Sequence, residues 1–252
     1  MILPQYMYDS PVKLFVLDFG LFKVHSNGRV IGICGYLIET RTGRRILVDT
    51  GFPAKYAYDI AKASEEDNLG DFGEVIALTE ANLPAGQLAC IGLSPADIDC
   101  LVMTHTHIDH VGGIADFPRA PLVIGAEERS LPRPLYWKGG QPLEWPDVET
   151  IVVSKDLDLF PGVRLLTTPG HSPGHLSLLV SLPNTGQVLL TADAISRPAE
   201  IEGRFAGSWN EEMAIESAER ILRIAKSCNA FVIYGHSPEQ WPTLRKAPQF
   251  YD

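Results

Sequence analysis

Four side chains able to ligate a metal fall within six residues of this chain. They are His105, His107, Asp109 and His110, in the run Thr104-His105-Thr106-His107-Ile108-Asp109-His110, with Val111-Gly112-Gly113 following. Three more stand alone downstream: His171 in Thr168-Pro169-Gly170-His171, Asp193 in Leu190-Thr191-Ala192-Asp193, and His236 in Tyr234-Gly235-His236. Imidazole nitrogen and carboxylate oxygen are the donors a borderline cation such as Zn²⁺ prefers, and no cysteine is placed to contribute. Seven donors exceed what one tetrahedral ion can use. The count therefore implies two divalent metal ions, most naturally Zn²⁺, sharing a bridging group, which is the equipment of a hydrolase.

The spacing has a geometric reading. The apolar run Ile98 to Met103 reads as a buried strand, and Gly112-Gly113 is expected to open a short helix. His105 and His107, two apart, share a direction if the backbone stays extended; Asp109 and His110 then turn toward a second position. The isolated ligands also follow strand-like runs: Val163 to Thr167 before His171, Val188 to Thr191 before Asp193, and Phe231 to Tyr234 before His236. His25 and His175 read more simply as surface or packed histidines, although His175, just after Ser172-Pro173-Gly174, is placed to support a ligand.

These residues resemble the metallo-β-lactamase superfamily, whose signature is His-x-His-x-Asp-His followed by a distant His, Asp and His. Thr168 to His175, Ser177-Leu178-Leu179, Val188 to Ala194, Phe205-Ala206-Gly207 and Gly235 to Gln240 are similar to its N-acyl-homoserine lactone lactonase branch. Leu47-Val48-Asp49-Thr50-Gly51 is similar to an early strand and turn shared across the superfamily. The resemblance runs from about Leu14 to the C-terminus and implies one hydrolase domain over residues 1–252, an α/β four-layer αββα sandwich. It implies a lactone-opening enzyme that degrades quorum signals by attack of a metal-bridging hydroxide. His105, His107 and His171 would hold one ion and Asp109, His110 and His236 the other, with Asp193 between them. Asp109 would carry the proton from the attacking water to the leaving oxygen.

One position departs from the branch pattern. A tyrosine is expected three residues after the bridging aspartate, where its hydroxyl donates to the substrate carbonyl; here Asp193-Ala194-Ile195-Ser196 places a serine there. Ser196, Phe22 and Phe205 are the candidate substrate contacts, with Leu21, Phe52 and Trp137 as further apolar residues near the expected rim. Two other readings stay open: a hydrolase of thioesters, phosphodiesters or another lactone, and an iron-dependent redox relative. Diiron oxygen reductases place Glu where this chain has His107, which argues against that subtype.

The elements that must position these groups follow from pattern and punctuation. Strands are expected over Val12 to Asp18, Val30 to Glu39 and Arg45 to Asp49, with Asn27-Gly28 and Thr42-Gly43 as turns. Arg41, Arg44 and Arg45 then mark a solvated hairpin. Ala54 to Ala63 and Thr79 to Leu88 read as helices, the second interrupted at Pro84, and Glu65 to Gly73 as an acidic loop. Asn184-Thr185-Gly186 reads as a turn between strands. Glu211 to Ser227 is the clearest helix, capped by Asn210, with Met213, Ile215, Ala218, Ile221, Leu222 and Ala225 on its inner face. Helices in both halves of a strand-rich chain suggest two mixed sheets packed face to face with helices outside.

Composition narrows the partners. The balance of 31 acidic against 21 basic residues, formally −10, disfavours nucleic acid, whose phosphates need a basic groove. Met1 to Tyr8 shows no basic flank or cleavage site, and no run approaches the roughly 18 apolar residues of a membrane span. Cys34, Cys90, Cys100 and Cys228 show no paired spacing. The expected partner is a small lactone, with no nucleic acid and no membrane; the location is cytoplasmic, and a homodimer is left open.

Overall fold

The computed structural model describes residues 9–252; Met1 to Tyr8, read above for a targeting signal, lie outside the described residues. Strands β1 (Pro11–Val24), β2 (Val30–Thr40) and β3 (Arg45–Val48) form an antiparallel meander. Then follow α1 (Lys55–Tyr58), α2 (Ile60–Glu66), β4 (Gly73–Ala77), α3 (Pro84–Ala89), β5 (Cys100–Val102), α4 (Ile108–Val111), β6 (Leu122–Gly125), α5 (Ala126–Arg129) and β7 (Thr150–Val153). The second half carries β8 (Leu157–Phe160), β9 (Val163–Thr167), β10 (Leu176–Leu182), β11 (Gly186–Leu190), α6 (Ala199–Glu202), α7 (Glu211–Cys228) and β12 (Phe231–Ile233). The strands make a seven-stranded sheet in the order β4-β1-β2-β3-β5-β6-β7 and a five-stranded sheet in the order β12-β11-β10-β9-β8. Both mix parallel and antiparallel pairs.

Three apolar layers explain why these strands read as near-continuous hydrophobic runs: each central strand is covered on both faces. Between the sheets, Leu14, Val16, Ile38, Val48, Val102 and Val123 meet Val163, Leu165, Leu178, Val180, Val188 and Leu190. On the outer face of the larger sheet, Leu17, Phe19, Leu37, Leu47 and Leu101 pack on Tyr56, Ala63, Leu88 and Ile108 from the helices. On the outer face of the smaller sheet, Leu166 and Leu189 pack on Ala214, Ala218, Ile221 and Ala225 of α7. This is the αββα sandwich. No helix among the described residues is long and apolar enough to cross a membrane.

Several local expectations shift. The strand expected over Val12 to Asp18 continues to Val24, because its second half pairs with both β2 and β4. The helix expected over Ala54 to Ala63 is two helices: Asp59 leaves helical backbone at φ −150° and its side chain caps α2 through the Lys62 N–H. Pro84 opens α3, where its missing N–H costs nothing, after a 3₁₀ turn over Glu80–Asn82. Glu65 and Glu66 of the expected acidic loop belong to α2, and Gly73 to β4. Gly112-Gly113 opens a short 3₁₀ helix over Ile114–Asp116, as expected, but it also closes a helix that was not expected. α4 already spans Ile108–Val111, and a Cβ on Gly112 would stand 2.1 Å from the Pro53 nitrogen, so that glycine serves close packing. The long helix α7 has the expected cap, Asn210 accepting from the Met213 N–H. Its inner face is Ala214, Ser217, Ala218, Ile221 and Ala225, with Met213, Ile215 and Leu222 half-buried at the flanks.

Candidate metal centre

The C-terminal ends of β3, β5, β9, β11 and β12 open onto one rim. After β5 the chain stays extended through His107, and α4 then carries Asp109 and His110. The Leu176 N–H donates to the Thr104 carbonyl at 2.8 Å, tying the start of β10 to this segment and so joining the two sheets at the site. His171 sits in the β9–β10 loop, Asp193 in a 3₁₀ turn over Ala192–Ile195 after β11, and His236 just beyond β12. Gly170 takes φ +139° and leaves no room for a Cβ beside the α7 backbone at Ala214, which seats the His171 loop directly on the helix.

All seven sequence-derived candidates converge here. Donor atoms of His105, His107 and His171 lie within 4.8 Å of one another, as do those of Asp109, His110 and His236 and those of His105, His110 and Asp193. Asp193 faces both triads of the expected assignment. Its Oδ2 is 3.3 Å from His171 Nε2, whereas Oδ1 is 3.1 Å from His236 Nε2 and 3.6 Å from His110 Nε2. Asp109 Oδ2 stands 3.5 Å from His236 Nε2 and 3.8 Å from His110 Nε2. His105 Nε2, His110 Nε2, His236 Nε2 and Asp193 Oδ1 are buried with no hydrogen-bond partner among the described residues. Burying four such atoms is costly unless something between them binds all four, and the donor set suits a cation.

The opposite edges of the rings are fully occupied. His110 Nδ1 donates to Asp49 Oδ2 at 2.9 Å, and His236 Nδ1 donates to the Gly32 carbonyl at 3.0 Å, so that Nε2 is the nitrogen each ring turns to the centre. Asp49, buried and held at φ +61°, also accepts from the Thr104 N–H and hydroxyl at 2.8 and 2.7 Å. His175 is buried beside the ligands, as a supporting role requires. Its Nε2 accepts from the Asp193 N–H at 3.1 Å, while Nδ1 meets the Thr168 hydroxyl at 2.8 Å. Glu128, fully buried, accepts from the Thr106 hydroxyl at 2.5 Å and from the Gly174 N–H at 3.4 Å. It thereby ties the His105–His107 segment to the His171–His175 loop.

Charge is divided unevenly among the histidines. Burial holds His105 and His175 well below the usual imidazole range, and pulls His171 down to about 4. At His110 burial is also the largest influence, but Asp109, Asp49 and Asp193 together outweigh it and raise the ring to about 9. His236 is raised against burial to about 10, chiefly by Asp193. Asp193 in turn is held well below the carboxylate range, against its burial, by His236, His171 and His110.

The family profile of the metallo-beta-lactamase superfamily matches residues 35–236, from within β2 to the last of the seven residues. The chain belongs to the metallo-beta-lactamase superfamily. Within it the chain falls in the N-acyl homoserine lactonase branch. It is 34% identical over 222 residues to an N-acyl homoserine lactonase of Bacillus thuringiensis, covering 85% of each chain. It is 31% identical to one of Rhizobium radiobacter, covering 96% of this chain and 99% of that one. A solved N-acyl homoserine lactone hydrolase, with the product N-hexanoyl-L-homoserine at its catalytic metal centre, superposes with a TM-score of 0.79 at 28% identity, covering 96% of this chain and all of that one.

Above the centre lies a cleft of about 460 Å³. Phe22, Phe205, Ser196, Phe52 and Trp137 all line it, as do Leu69 and Phe72 from the expected acidic loop; Leu21 does not. Phe22 stacks on Phe52 and on Phe72, with ring centroids 5.9 and 5.8 Å apart, and so builds an aromatic wall. Ser196 contributes mainly backbone: its carbonyl accepts from the His236 N–H at 2.7 Å, and its N–H donates to Glu200 Oε2 at 2.8 Å. Sequence reasoning missed the hydrogen-bonding role of Asp49, whose only signal was an acid at the end of a strand before Thr50-Gly51. Glu128, Arg29, Arg197 and Glu200 gave no signal at all, because nothing local distinguishes them from surface charges.

Proposed function

We propose that this chain is a dinuclear metal-dependent lactonase, a single domain over the whole chain that opens the ring of N-acyl homoserine lactones. The observation that carries the reading is Asp193, with its two oxygens turned to two separate sets of nitrogen and oxygen donors. His105, His107 and His171 hold one ion, and Asp109, His110 and His236 the other. Zinc is the favoured metal, since the donors are imidazole and carboxylate and the sets are small. The relatives named as N-acyl homoserine lactonases supply the substrate class. Four cysteines without a disulfide fit a cytoplasmic location.

When bound, two divalent cations supply a Lewis acid for the lactone carbonyl and lower the pKa of water. The chain's own residues do the rest. Asp109, with one oxygen free of its ligand role, takes the proton of the attacking water and returns it to the ring oxygen as the C–O bond breaks. His175 orients Asp193 by accepting its backbone N–H, and Asp49 fixes the ring of His110. Phe22, Phe52 and Phe72 shield the acyl chain from water. Water is added across the ester, and the product carboxylic acid ionises at neutral pH, so one proton is released per turnover.

The test is a pH-indicator assay on N-acyl homoserine lactones together with metal analysis. Two metal ions per chain are expected, with activity abolished by chelation and restored by Zn²⁺. One ion or fewer per chain after reconstitution, or hydrolysis of thioesters and phosphodiesters without any lactone, would overturn the reading.

A further inference from the structure

The cleft wall holds a feature that ring opening does not use. Arg29, in the β1–β2 connection, and Arg197, directly after Ser196, both line the cleft, together with Glu200. The Nε of each arginine is buried without a hydrogen-bond partner. Among the described residues neither guanidinium makes a side-chain hydrogen bond or an ion pair. This is unusual in a chain whose acidic residues outnumber its basic ones by 31 to 21. Glu200, the carboxylate that acts on Arg29, has Oε2 bound to the Ser196 N–H at 2.8 Å. Burial and the charge of Arg197 both press Arg29 toward its neutral form, and Glu200 alone opposes them.

Two guanidinium charges facing a single carboxylate, Glu200, leave one positive charge uncompensated on a partly buried wall, and a neutral acyl chain beside it raises that cost. An anion between them removes it. Guanidinium groups offer planar, paired donors that match a carboxylate better than any neutral oxygen. Resting on the lactonase reading, we infer that Arg29 and Arg197 form a carboxylate-binding subsite, so that the preferred substrates are acyl homoserine lactones whose acyl chain itself ends in a carboxylate. The aromatic wall of Phe22, Phe52 and Phe72 would cover the methylenes between the amide and that terminus.

The test compares lactones of equal chain length with either end: succinyl against butanoyl, adipoyl against hexanoyl, and suberoyl against octanoyl homoserine lactone, with 3-oxo-hexanoyl as a neutral polar control. At one of these lengths the carboxylate-terminated lactone is expected to have a kcat/KM at least about tenfold higher, expressed mainly in KM. Arg29→Gln and Arg197→Gln should each lower that ratio by about tenfold. The ratio is read within one preparation, so a partly misfolded variant does not mimic the effect. Methyl-terminated lactones preferred at every length would overturn the subsite. So would a preference that survives both substitutions, or an equal gain from the 3-oxo chain. Should no lactone be hydrolysed, the lactonase reading fails separately, and calorimetric titration of the zinc-loaded protein with ring-opened adipoyl- and hexanoyl-homoserine decides the subsite. Tighter binding of the adipoyl compound that is lost in Arg29→Gln supports it; equal binding by the two compounds overturns it.

Discussion

The floor and the wall of the cleft are built on opposite rules. On the floor, His110, His236 and Asp193 each have an outward-facing group satisfied by the protein, and their inward-facing atoms share one small space. On the wall, Arg29, Arg197 and Trp137 keep buried nitrogens with no hydrogen-bond partner among the described residues. The floor is fixed before anything binds, because five strand ends and a shell of hydrogen bonds determine it. The wall is left for the substrate to complete. Chemistry that needs donors held within fractions of an ångström belongs on the first, and selectivity belongs on the second.

The largest break in this division should come from Asp109→Asn. In the proposed mechanism it removes a ligand charge and the proton carrier together, so kcat/KM on a homoserine lactone should fall by about 100- to 10,000-fold. Full activity at equal metal content would remove Asp109 from the mechanism.

Metal affinity should follow pH steeply. His110 and His236 are raised to about 9 and 10, so both carry protons at neutral pH when the metal has been chelated away. Binding must displace those protons, and affinity therefore rises with pH, by about a hundredfold per unit between pH 6 and 8 if both are displaced. His171, already neutral with its ring lowered to about 4, adds nothing in that window. Competition titrations with a chelator of known pH dependence measure the slope; a flat profile would contradict the charge division described for the histidines.

Asp49→Asn tests the shell beneath the floor. Asparagine keeps the shape and tolerates φ +61°, but its amide nitrogen deprives either the Thr104 N–H of its acceptor or, turned the other way, both the Thr104 hydroxyl and His110 Nδ1. An amide nitrogen facing His110 would force the proton onto Nε2 and cancel that ligand. Metal affinity is expected to drop about 10- to 100-fold, with the fold retained by circular dichroism. An unchanged affinity would show that the His110 ring is held by packing alone.

Ser196→Ala should have the smallest effect, less than about tenfold on turnover, about 1.4 kcal/mol. The serine's backbone N–H and carbonyl make its hydrogen bonds, and alanine keeps both. A larger loss at unchanged metal content would mean that its hydroxyl has taken over the carbonyl contact expected of the missing tyrosine.

The floor was far more legible in the sequence than the wall. His105, His107, Asp109 and His110 could be read because their geometry is local: an extended tripeptide followed by one helical turn sets their directions. His171, Asp193 and His236 could be read because each ends an apolar strand, and strand ends in layered folds gather at one rim. The same local reasoning did not reveal the close approach at Gly112, where Phe52-Pro53, some sixty residues earlier, leaves no room for a Cβ. It failed between Ala54 and Ala63, where a capping aspartate breaks an apparently continuous helix.

By itself, then, the sequence determined the donor set, the layering of helices on two sheets, and the place of Ser196 where a tyrosine was expected. Only the tertiary structure decided which atoms face inward. The tautomer of His110 depends on Asp49, sixty-one positions away, and that of His236 on a carbonyl in β2. The charge state of the wall depends on Arg29 and Arg197, from opposite halves of the chain, lining one cleft. Burial and long-range pairing set those properties, and neither leaves a mark on the neighbouring residues in the chain.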